Sequence, residues 1–125
     1  MKRGKEKENK ITFKDKSEYL SVIISGPWDI RILEEYVLEI RQRLDKLGYK
    51  RVLIDNQELI HPGESSFDRY QIGVRIATEW GPYIKAAVIT KPENISGYTE
   101  TTAINRGANF AVFSDLEAAQ KWLLS

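Results

Sequence analysis

Cysteine is absent from this sequence of 125 residues, and histidine and methionine occur once each. Without cysteine there is no disulfide, no thiolate metal site and no cysteine nucleophile, which suits a reducing cytoplasm. A single histidine, His61, leaves no room for a His-Glu-x-x-His motif. Long apolar runs are missing: nothing approaches the ~20 residues of a membrane span. The first ten residues, Met1 to Lys10, have no apolar core of the signal-peptide kind. Charge of one sign is missing too. The formal net charge is +1, so no global field draws the chain to nucleic acid. Glycine-rich phosphate loops, Gly-x-x-x-x-Gly-Lys-Ser/Thr and Gly-x-Gly-x-x-Gly, are absent, and Ser65 is not in a Gly-x-Ser-x-Gly elbow.

What is present is an ordinary globular composition, 42% hydrophobic and 30% charged, in a length that fits one domain. Residues 1–10 read as a flexible charged tail and 11–125 as the domain. Ile11 to Phe13 and Leu20, Val22 and Ile24 alternate in period two about a short polar link, the pattern of an antiparallel hairpin. Asp29 can cap a helix whose apolar residues Ile30, Leu33, Val37, Ile40, Leu44 and Leu47 recur in steps of three and four, with Gly48 as its left-handed stop. Arg51 to Asp55 is a short apolar run, as in an interior parallel strand. A polar loop is expected from Asn56 to Glu64. Ser65 or Ser66 then caps a second helix ending at Trp80, with Phe67, Tyr70, Val74, Ala77 and Trp80 along its inner side. A strand over 85–90, a short helix over 99–106, a strand over 109–113 and a last helix follow. Ser114 and Glu117 fit a capping box for that helix, and Leu116, Ala119, Trp122 and Leu123 form its buried stripe.

The order β-β-α-β-α-β-α-β-α defines the fold class. It predicts an α/β domain with a mostly parallel five-stranded sheet and an antiparallel first edge strand. Ligands of such sheets gather at the carboxyl ends of the strands. Three loops are expected there: 26–29, 55–66 and 90–98. Trp28, Asp55, Glu58, His61 and Tyr98 are therefore candidates for a binding surface, with the two aromatics as anchors. His61 with Asp55, Glu58 and Glu64 could form an acid–base or metal cluster. A solvated loop histidine and a local role for Asp55 explain the same residues, so neither a metal nor a catalytic set is assigned. Ser65 and Ser66 admit two roles: helix capping alone, or phosphorylation at a helix N-terminus, where an anion is favoured.

The closing segment carries a resemblance. Arg106-Gly107, Asn109, Val112-Phe113, Asp115, Ala119 and Trp122-Leu123, together with the element order from Ile11 to Leu124, resemble the SpoIIAA-like branch of the STAS family. These are sulfate-transporter and anti-sigma-factor-antagonist domains. The resemblance implies a β/α superhelix with strands added in chain order, and a non-enzymatic cytoplasmic module without cofactor. It also implies a protein partner of the kinase or anti-sigma-factor kind. In the antagonists, a serine within Asp-Ser-Ser-Gly is phosphorylated by the partner kinase. Glu64-Ser65-Ser66-Phe67 matches that stretch and makes Ser65 the aligned serine, with Glu in place of Asp and Phe in place of Gly. The superhelix is also similar to the lipid-binding Sec14 domain. That keeps a second reading open: a small apolar ligand or lipid in a cavity between sheet and helices. A homodimer through the helix that begins at Ser65 stays open as well.

Overall fold

The computed structural model describes residues 8–60 and 65–125. Residues 1–7, most of the expected tail, and 61–64, with His61 and Glu64, lie outside the described residues. Strands β1 (Lys10–Asp15) and β2 (Leu20–Pro27) pair antiparallel. Their link turns through Ser17, whose φ of 73° is left-handed, and Asp15 Oδ1 accepts from the Ser17 N–H at 2.8 Å. The side-chain bond to the backbone two residues on is what lets a non-glycine residue sit there. β3 (Arg51–Ile60), β4 (Lys85–Ile89) and β5 (Asn109–Phe113) add in parallel, in the order β1-β2-β3-β4-β5. Both the antiparallel edge and the chain-order sheet are as the sequence implied.

Helices α1 (Ile30–Leu47), α2 (Ser66–Trp80) and α3 (Tyr98–Asn105) contribute to one core and α4 (Leu116–Leu123) to the other. Asp29 caps α1 by accepting from the Arg31 and Ile32 N–H groups, and Gly48 closes it at φ 78°. Leu33, Val37, Ile40 and Leu44 bury against Leu20, Val22, Ile24, Val52 and Ile54. Each such side chain stabilises the fold by roughly 1.5–3 kcal/mol. The smaller core on the other face joins Tyr19, Leu53, Ala87 and Ile89 to Ala119 and Leu123. Among the described residues no helix is long and apolar enough to cross a membrane.

Three expectations change. First, β3 does not stop at Asp55 but runs to Ile60, so residues 56–60 of the expected loop are strand. Second, α2 buries Trp80 as expected but otherwise turns a different face inward: Ile72, Gly73 and Ile76 are buried, and Phe67 is 67% exposed. The helix has two apolar stripes, and the sheet takes the one with the branched isoleucines; Tyr70, Val74 and Ala77 stay half-buried on its flank. Third, α4 is capped by Asp115, whose Oδ2 accepts from the Ala118 N–H at 3.0 Å, and not by Ser114. That start lies one residue later than the box requires. It places Glu117 at the second helical position and leaves Leu116 outside, 49% exposed.

Candidate functional site

Alternation along the strands decides which side chains face α1, α2 and α3. Ile24, Ile54, Val88, Phe110 and Val112 take that side. The next inward positions past Ile54 and Val88 are polar: Asn56 and Thr90. At this point β3 carries a bulge. Ile23 pairs with Asp55, but Ser25 pairs with Glu58, so β3 spends one residue more than β2. A bulge of this kind shifts the alternation of the strand beyond it. Asn56, within the bulge, still continues the inward alternation of Ile54, and Leu59, 5% exposed, faces inward after it. Asp55 Oδ1 accepts from the Gln57 N–H at 2.9 Å and holds the irregular turn of the chain.

Above these residues lies a cavity of about 130 Å³. Its walls are mostly apolar: Ile24, Leu33, Val37, Ile72, Ile76 and Val88 among them. Trp80 closes one side, and its Nε1 donates to the Val37 carbonyl at 2.9 Å, tying α2 to α1. The polar groups gather at one end. Arg69 Nη1 donates to Ser96 Oγ at 3.0 Å, and Thr99 Oγ1 donates to the Arg69 carbonyl at 3.2 Å. Glu100 Oε2 accepts from the Val112 N–H at 3.1 Å. The first two bonds hold Ser96 and the start of α3 against α2, and the third ties α3 to β5. Ile95 and Ser96, both in the lining, are exposed, so the cavity reaches the surface there.

Two lining groups stand out chemically. Asn56 Oδ1 is buried and has no hydrogen-bond partner among the described residues. A buried acceptor left unpaired costs about 1–3 kcal/mol, and native folds rarely carry one without a reason. Tyr36, also in the lining, has its hydroxyl pKa raised by burial first and then by the nearby Glu39 and Glu35 carboxylates. It stays neutral at physiological pH.

The structure divides the residues singled out from sequence. Trp28 is half-buried, packs on the core and lines the cavity; its backbone N–H donates to the Ile60 carbonyl at 2.7 Å. Tyr98 opens α3 and is 44% exposed. Ser65 is the N-cap of α2, its Oγ accepting from the Asp68 N–H at 3.0 Å, and Ser66 is the first helical residue; both are exposed. Asp55 alternates with Ile54 and so belongs to the other sheet face beside Ile23; Glu58 is exposed beyond the bulge. His61 lies outside the described residues. Among the described residues no group of three His, Asp or Glu side chains is placed to hold a metal. Asn56, Arg69, Thr90 and Glu100 were not legible as site residues. Asn56 was hidden by reading 56–64 as loop, although Ile54 and Asn56 keep period two.

The arrangement has solved counterparts. An anti-sigma factor antagonist from Mycobacterium paratuberculosis superposes with a TM-score of 0.64 at 14% identity, over 94% of this chain and 96% of that one. An uncharacterised protein of the DUF3478 family from Shewanella loihica, with a SpoIIAA-like fold, superposes with a TM-score of 0.56 at 21% identity. That match covers 93% of this chain and 95% of the other. The chain has the SpoIIAA-like fold. The carboxyl edge of a SpoIIAA-like sheet is thus where the cavity, Ser65 and Tyr98 all lie. No protein-family model and no curated protein sequence matches the chain.

Proposed function

We propose that this chain is a non-enzymatic, cytoplasmic regulatory module that docks a protein partner on the carboxyl edge of its sheet, with Ser65 as the residue through which charge controls docking. One observation carries the reading: that edge exposes large apolar side chains beside a helix N-terminus. Phe67 is 67% exposed, Tyr98 44%, Ile95 40% and Ile60 39%. Exposed aromatic and apolar groups are what a partner desolvates to gain affinity. The Mycobacterium protein of the same fold is an anti-sigma factor antagonist, which supports a regulatory role.

A phosphate on Ser65 would bring a charge of roughly −1.5 to −2 to the first turn of α2, where free N–H groups favour an anion. It would also end the present bond from the Asp68 N–H to the Ser65 hydroxyl, or replace it with a stronger one. Either way the charge enters the apolar surface around Phe67 without refolding the core. Phe67 stands where the antagonist motif has glycine; it converts a position of close backbone approach into a hydrophobic contact.

The test is to isolate the chain from its own cells after cross-linking, as wild type, Ser65→Ala and Ser65→Asp, and to map modifications by mass spectrometry. The expected result is phosphate on Ser65 and a defined partner gained or lost in Ser65→Asp. An unmodified Ser65, with the same partners in all three proteins, refutes the switch. The cavity favours a second reading at the same edge, ligand binding.

A further inference from the structure

We infer that the cavity between the sheet and α1, α2 and α3 is a binding site for a small neutral molecule: one ring, or a short branched chain, bearing a single hydroxyl or N–H donor that pairs with Asn56 Oδ1. The inference does not rest on a protein partner.

Size sets the class. A cavity of about 130 Å³ is below the ≈300–1,000 Å³ of pockets for drug-sized ligands. It is close to the ~150 Å³ apolar cavity that holds benzene. A long acyl chain therefore does not fit, and the lipid reading narrows to a single small group. The walls set polarity. Ile24, Leu33, Ile72, Ile76 and Val88 offer no hydrogen bonds, so the body of the ligand is apolar. At the polar end, Arg69 and Glu100 bring opposite charges, each already engaged in the protein. They give no preference for an ion. Asn56 Oδ1 is the acceptor left without a partner, and an acceptor selects a donor.

The fold holds this residue in an irregular stretch of strand: Asn56 sits in the β3 bulge between Asp55 and Glu58, and Asp55 fixes it by accepting from the Gln57 N–H. Bulges next to sites are how sheets re-aim a side chain. A ligand hydroxyl there would have Trp28 and Tyr36 as further walls. Entry is at Ile95 and Ser96, where the lining is exposed.

The test is a methyl and side-chain amide NMR titration of the full chain with phenol and with fluorobenzene, similar in size but without a donor. Both should give saturable shifts of the Ile72, Ile76 and Val88 methyls, and only phenol should move the Asn56 amide. In Asn56→Leu, the ratio of phenol to fluorobenzene affinity should fall about tenfold, the effect of one hydrogen bond to a buried group. The wild-type comparison stands by itself if that variant does not fold. If neither ring binds, the cavity holds water alone and the inference is wrong. If both bind but the Asn56 amide responds equally to each, the donor class is wrong.

Discussion

Gly73 of α2 lies so close to Thr102 of α3 that a Cβ at position 73 would stand 2.8 Å from Thr102 Cβ and 2.9 Å from the Thr99 carbonyl oxygen. Only a residue without a side chain permits this approach. The contact brings α3, and with it Thr99 and Glu100, against α2 at the polar end of the cavity.

Gly73→Ala should therefore destabilise the fold, although alanine is favoured over glycine in a helix by ~1 kcal/mol. Overpacking of this kind costs about 1–3 kcal/mol. Thr102→Ala should not rescue it, because the Cβ of residue 102 and the Thr99 carbonyl remain. Urea unfolding of the two single variants and the double variant checks both statements.

Asp115→Ala should lower stability by about 1 kcal/mol, the usual effect of losing an N-cap, while Ser114→Ala should be close to neutral. The pair of variants, compared by thermal unfolding, decides which residue starts α4. A larger loss from Ser114→Ala would restore the capping box read from sequence.

Removing the Asp55 carboxylate should loosen the bulge of β3. Asp55→Ala loses the bond to the Gln57 N–H and should cost about 0.5–1.5 kcal/mol. Amide exchange should rise at Gln57 and Glu58 and stay unchanged over Arg51 to Ile54. Faster exchange along the whole strand would contradict a local role.

Tyr49 and Asp15 form a pH-dependent clasp between the hairpin and the end of α1. The Tyr49 hydroxyl donates to Asp15 Oδ1 at 2.6 Å. That bond, then the one from the Ser17 N–H, holds the Asp15 carboxyl below its ordinary 3.8, and the same contact raises the Tyr49 hydroxyl above its ordinary 10.0. The signs follow from linkage. The Asp15 contribution is present above pH 3.8 and is lost as pH falls through its lowered value; the Tyr49 contribution is present below pH 10.0 and is lost as pH rises through its raised value. In Tyr49→Phe the Asp15 titration, followed by carboxyl NMR, should move up toward 3.8. An unchanged midpoint would show that the Ser17 N–H alone sets it.

Periodicity carried most of the fold. The stripe of α1 and the alternation of β2 follow from side chains that bury on one face, and the continuous apolar runs of β3 and β4 from strands covered on both. Boundaries and helix phase were harder to read, for identifiable reasons. Asp115 and Ser114 are both good caps, and only the packing of Ala119 and Leu123 against the sheet chooses between them. In α2 two apolar stripes compete, and the fit of Gly73 on Thr102 decides. The site was legible only as an edge of the sheet. Ser65, Trp28 and Tyr98 could be placed at that edge because loops and caps are visible in sequence. Asn56 could not, because 56–64 reads as a polar loop, and only the pairing of β2 with β3 carries the strand on to Ile60.

If the carboxyl edge is the working surface, site-specific photo-crosslinking in living cells reads it out most directly. A photoreactive residue replaces Phe67 at that edge, and in a second protein replaces Tyr83, which is as exposed, at 70%, but lies at the amino edge before β4. Docking at the carboxyl edge predicts a defined cross-linked protein at position 67 and none at position 83. Cross-linking at position 83 alone, or equal yields at both, would contradict it.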